Sequence, residues 1–175
     1  MKRLLAAALF AAAIFFTMNS PAAAQTTRTF TLSRGDMLTP PSPSIDPSGA
    51  TTYFGGLVVG QVEGSSPSTF TLSTTFRSTG VVDPVAGIYG GVIVSPYSSF
   101  VVTQSSGRKS VSTSGTIDAG TVTYRLTPDG FADIVSVSGN LTVWEGRNKR
   151  RTAVGTGTLD YGTTVEGSGT ITLYF

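Results

Sequence analysis

Between Gly120 and Phe175, apolar and polar residues alternate along four consecutive segments. Val122, Tyr124 and Leu126 share one parity, as do Phe131, Val135, Val137, Leu141 and Val143. The same holds for Ala153, Leu159 and Tyr161, and for Val165, Ile171, Leu173 and Phe175. The opposite parity is mainly Thr and Ser. A period of two with one greasy side marks half-buried strands, so residues 120–175 predict a four-stranded antiparallel meander. Pro128-Asp129-Gly130 predicts its first hairpin turn, with Pro fixing φ and Gly taking the left-handed position. Gly139 falls inside an unbroken apolar parity and predicts a bend in one long strand.

The N-terminal half gives shorter signals. Thr29–Ser33 alternates as a strand and is expected to end at Arg34-Gly35-Asp36, with Gly35 supplying a positive φ. Residues 39–50 hold four prolines, which donate nothing to a ladder, and read as a loop. Tyr53–Val62 and Ser68–Phe76 predict a hairpin across Glu63–Pro67, with Phe70, Leu72 and Phe76 on one face. Ser78–Ala86 reads as a second loop. Gly87–Ser95 is apolar on both faces and predicts the most buried strand of this half. Ser98–Ser105 and Ser110–Ile117 complete the set, joined by a turn at Ser106–Lys109; Asp118-Ala119-Gly120 is expected to turn into the C-terminal unit. The fold class is all-β, an antiparallel meander of about ten strands forming a barrel or a sandwich.

Residues 1–24 differ from everything that follows. Lys2 and Arg3, the apolar run Leu4–Met18 and the small residues Ala22-Ala23-Ala24 predict a cleaved secretory signal. The apolar run is shorter than the ~20 residues of a membrane-spanning helix. Residues 25–175 then form a single all-β domain, exported to the periplasm or the extracellular space. This changes the charge reading. The chain has 12 basic and 10 acidic residues, and loss of Lys2 and Arg3 leaves 10 of each. The basic isoelectric point is therefore no argument for a nucleic-acid partner.

Composition also narrows the chemistry. With neither His nor Cys, Ser-His-Asp and Cys-His nucleophiles are excluded, as are disulfides and imidazole or thiolate metal sites. No catalytic residue, metal site or cofactor is assigned. On the polar face, Arg125, Asp160 and Glu166 are expected to converge with Trp144 and Tyr174 in a site able to bind carbohydrate. Arg147, Lys149, Arg150 and Arg151 form a basic patch beside Trp144 at a hairpin tip. Gly155, Gly157, Gly167 and Gly169 follow no phosphate-loop pattern, since no helix follows them, and are expected to make room for bulky neighbours.

These features support an exported, water-soluble, non-catalytic β protein of the cell envelope, binding a small apolar ligand, a glycan or an anionic envelope component, or serving structurally. One alternative is a small outer-membrane β-barrel with the greasy parity turned to lipid. A further alternative is a polysaccharide-active enzyme using Asp133, Asp160 and Glu166 or a Tyr/Arg pair.

Overall fold

The computed structural model describes residues 25–64, 68–145, 151–163 and 167–175. Residues 1–24, with the expected signal, lie outside them. The described residues contain ten strands and no helix: β1 (Thr27–Thr39), β2 (Ser42–Ile45), β3 (Thr51–Val62), β4 (Ser68–Asp83), β5 (Ile88–Ile93), β6 (Ser99–Ser106), β7 (Lys109–Leu126), β8 (Ala132–Glu145), β9 (Thr152–Gly162) and β10 (Ser168–Tyr174). All pairings are antiparallel and belong to one sheet. β7 to β10 are consecutive neighbours, as the C-terminal alternation requires. Following the ladders from β1 through β10, β9, β8 and β7 to β5 or β6, then through β4 and β3, leads back to β1. β5 and β6 lie end to end, pairing with successive stretches of both β4 and β7.

Most of the apolar parity is buried, but Leu126, Ala153 and Phe175 at the strand ends are exposed, and Val165 lies outside the described residues. Val122, Tyr124, Val137, Leu141, Leu159, Tyr161, Ile171 and Leu173 are each at most 2% exposed. The intervening Thr and Ser face outward, where several pair across strands, such as Thr121 with Ser138 and Thr123 with Ser136. Aromatic rings fill much of the interior. Tyr53, Phe76, Tyr89 and Tyr124 form one group with centroids 5.0–5.6 Å apart. Phe70 and Tyr161 form a second, 5.8 Å apart. Offset and tilted pairs of this kind add to the stabilisation from buried area alone.

Four expectations are corrected by β-bulges and edges. Residues 34–36 do not end a strand: Arg34 and Gly35 together oppose Gly60 in a bulge within β1, and the positive φ (52°) falls on Arg34. Asp118-Ala119-Gly120 is no turn. Asp118 is an extra residue in a continuous β7, its carboxylate accepting hydrogen bonds from the hydroxyls of Thr116 and Thr142. In β8 the parity is broken rather than continuous. Val135 is the extra residue, so Ala132 and Ile134 point inward while Phe131 is exposed. The bulge frees the Val135 carbonyl to accept from the Thr163 amide at 2.8 Å. Lastly, Ser42–Ile45 is an edge strand inside the Pro-rich stretch, where Pro43 leaves no gap in a ladder that ends there.

Other expectations stand or shift by degree. β8 runs unbroken through Gly139. The Pro128-Asp129-Gly130 turn closes as expected, with Thr127 and Phe131 paired and Gly130 at φ 82°. β4 extends to Asp83, through two thirds of the expected second loop, Ser78–Ala86. β5 is not buried on both faces, because Val92 is 43% exposed.

Register fixes which connections share an end. Residues 26–28, Phe175 and the β3–β4, β6–β7 and β8–β9 connections lie at one, here the terminal end, where Thr26 and Phe175 exchange backbone hydrogen bonds. The β2–β3, β4–β5, β7–β8 and β9–β10 connections lie at the other, the hairpin end.

Candidate functional site

The expected cluster of polar residues is not assembled. Arg125, Trp144, Asp160 and Tyr174 share the outward face, but the register brings only Tyr174, level with Thr142, to the end that holds Trp144 and spreads the other two along the strands. Arg125 pairs with Asp133 at the start of β8, whereas Trp144 sits near its end. At ~3.3 Å per residue that separation is on the order of 35 Å. Asp160 lies between them, opposite Ser138 and Thr170, and Tyr174 is opposite Thr156. Glu166 lies outside the described residues. The same spacing bears on the enzyme alternative. Asp133 and Asp160 are five β8 positions apart, roughly 17 Å, against about 5–9.5 Å for a glycosidic carboxylate pair.

Trp144 stands out by how firmly it is held. Its indole N–H donates to Thr116 Oγ1 at 3.0 Å, and the Thr116 hydroxyl donates to Asp118 Oδ1 at 2.6 Å. The second carboxylate oxygen takes the Thr142 hydroxyl. The bulge at Asp118 makes this possible by placing a carboxylate beside two outward threonines. The ring is thus tied down through its only polar atom and is half-buried, the rest of its surface lining the outside of the sheet.

Two grooves flank that ring at the terminal end. One, of about 360 Å³, is lined by Pro96, Ser99, Val101, Ser114, Trp144 and Arg151 among others. The other, of about 280 Å³, brings in Arg28, Thr113, Glu145, Val154 and Phe175. In the second, the Arg28 guanidinium lies 5.4 Å from the centre of the Phe175 ring. Of the expected basic patch, Arg151 is described, exposed and beside Trp144; Arg147, Lys149 and Arg150 lie outside the described residues.

Sequence reading singled out Trp144 and Arg151 but missed Thr116, Asp118 and Thr142. A carboxylate flanked by threonines two positions before it and on the neighbouring strand is the signal that was available. Sequence reading placed Tyr124 and Tyr161 on the buried face but missed the hydrogen bonds of their hydroxyls. Tyr124 donates to Ser78 Oγ at 2.7 Å, and Tyr161 to the Gly35 carbonyl at 3.2 Å. Burial pushes the hydroxyls of Tyr53 and Tyr161 up to about 12, with Tyr124 adding to the first shift and Asp36 to the second.

The glycine readings hold where they can be checked. A Cβ at Gly157 would meet the Thr172 carbonyl and the Leu173 side chain, and one at Gly169 the Asp160 carbonyl. Among the described residues, no group of three or more carboxylates is placed to hold a metal ion. Comparison with protein-family models, with curated proteins and with solved structures finds no match to this chain.

Proposed function

We propose that the chain is an exported, water-soluble β-barrel that acts without catalysis, as a cell-envelope module binding an anionic glycan across Trp144. The circuit of pairings supports a barrel of eight positions over a two-sheet sandwich, with β1 and β2 sharing one position and β5 and β6 another. The inward apolar parity supports the water-soluble form over an outer-membrane barrel, whose lipid-facing parity would be the exposed one. Residues 1–24 carry the export reading.

The observation that carries the ligand reading is the pinned indole. A sugar ring stacks its C–H face on a fixed aromatic surface at little entropic cost, because no rotamer freedom is left to lose. Hydroxyls of Ser99 and Ser114 border the same groove as Arg151. They supply polar contacts to a polyol, and the guanidinium supplies a partner for a carboxylate or phosphate.

The chain has one Trp, so its fluorescence reports on this surface alone. Titration with an oligogalacturonate is expected to shift the emission saturably, with neutral malto-oligosaccharides weaker. Arg151→Gln should weaken the acidic ligand by about tenfold, a difference of ~1.4 kcal/mol. Emission unchanged by either ligand overturns the glycan reading. Recovery of the protein from cell envelopes only with detergent overturns the water-soluble one.

A further inference from the structure

The hairpin end carries a feature that the Trp144 surface does not use. Residues 79–87, the tip joining β4 and β5, are all exposed. They include Val81 (55%), Val82 (62%) and Val85 (97%). The tip is well formed: Asp83 Oδ1 accepts from the amides of Val85 and Ala86 at 2.9 and 3.0 Å, and Val81 pairs with Tyr89. Val82 lies over Gly90, while Val81 and Val85 present an exposed apolar surface with no partner among the described residues.

The opposite end offers a complementary surface. A groove of about 580 Å³ there is lined by Arg28, Glu63, Ser68, Gln104, Lys109 and Val111, with Val111 60% exposed. Charge is divided in the same sense. Among the described residues, Arg28, Arg108, Lys109 and Arg151 gather at the terminal end against Glu63 and Glu145. Asp36, Asp46, Asp83, Asp129 and Asp133 gather towards the hairpin end against Arg34, Arg77 and Arg125.

We propose that the chain associates with itself head to tail, the β4–β5 tip of one copy seating in the Arg28/Lys109/Val111 groove of the next. The valines cover Val111, and the Asp83 carboxylate meets the two cations. A tip-to-tip contact is disfavoured because it would bring Asp83 against its own copy. Each molecule has one tip and one groove at opposite ends, so the contact is heterologous and does not close; it builds linear chains. The contact is small, so association falls in the micromolar-to-millimolar range typical of limited interfaces, and salt weakens it. It does not depend on the ligand proposed for Trp144.

Sedimentation velocity of the purified chain tests this, with Val85→Lys disabling the tip and Lys109→Glu disabling the groove. Both positions are exposed, and circular dichroism checks that each variant is folded. The wild type should grow in mass with concentration up to about 1 mM, and each variant alone should associate at least about tenfold more weakly. An equimolar mixture of the two should associate more strongly than either alone, because Val85→Lys keeps its groove and Lys109→Glu keeps its tip. A wild type that stays monomeric overturns the proposal. So does a Lys109→Glu variant that still dimerises, which would mean tip-to-tip contact. So does a monomeric chain that co-sediments with phosphatidylcholine vesicles through Val85, which would make the tip a membrane contact.

Discussion

The phenolic O–H of Tyr161 donates to the carbonyl of Gly35, 126 residues earlier in the chain, at 3.2 Å. This contact ties β9 to the bulge in β1, close to where the Gly35 amide donates to the Gly167 carbonyl at 2.9 Å. Gly35 is required by that approach, since a Cβ there would overlap the Tyr161 ring and hydroxyl. Gly35→Ala is therefore expected to destabilise the protein by about 1–3 kcal/mol through overpacking. Tyr161→Phe should cost about 1 kcal/mol for the lost hydrogen bond. Because removing the hydroxyl relieves part of the overlap, the double variant should lose less than the sum in urea unfolding. Full additivity would mean that the two residues do not touch.

The same tyrosine sets an alkaline limit. Tyr161 and Tyr53 are each raised from 10.0 to about 12, mainly by burial. In the unfolded chain they lose their protons near pH 10, while the folded chain holds them until near pH 12. The folded state thus binds more protons in that window, and stability falls as pH rises through it. Below pH 10 this contribution is fully present. Urea midpoints measured from pH 8 to 11.5 should drop above pH 10, less steeply in Tyr161→Phe. An identical slope in the variant would remove Tyr161 from the effect.

Thr74 is fully buried, and its hydroxyl has no hydrogen-bond partner among the described residues. An orphaned buried hydroxyl costs more than it returns. Thr74→Val keeps the shape and removes the polar atom, and should raise unfolding stability by about 1 kcal/mol. A loss of stability instead would show that the hydroxyl is satisfied by a bound water.

Strand existence and facing were legible in the sequence wherever alternation was clean. Phe70, Leu72 and Phe76 on β4, and Ile171 and Leu173 on β10, were placed on the buried face from parity alone. The Pro128-Asp129-Gly130 turn was legible because its residues carry their own backbone preferences. The bulges were not. The one at Val135 is coupled to a carbonyl bond from Thr163, and that at Asp118 to a hydroxyl from Thr142, both partners distant in sequence. Parity counting assumes one residue per step, so the bulge at Val135 put Phe131 on the wrong face, whereas Val122 and Tyr124 beyond Asp118 were still read correctly. The same blindness dispersed the candidate site. Shared facing put Arg125, Asp160 and Tyr174 with Trp144, but register, which alternation does not encode, moved Arg125 and Asp160 far along the strands and left only Tyr174, level with Thr142, at the same end.

The central claim is that the greasy parity of the C-terminal strands points into a core while the hydroxyl parity meets water. The chain has no native Cys, so single cysteines at Thr158 and Leu159, adjacent on β9, report each face separately. Reaction with a membrane-impermeant maleimide is best followed in detergent-free buffer. Thr158→Cys should label rapidly and Leu159→Cys only on unfolding. Rapid labelling at Leu159 with protection at Thr158, or a chain that needs detergent to stay dispersed, would contradict the account.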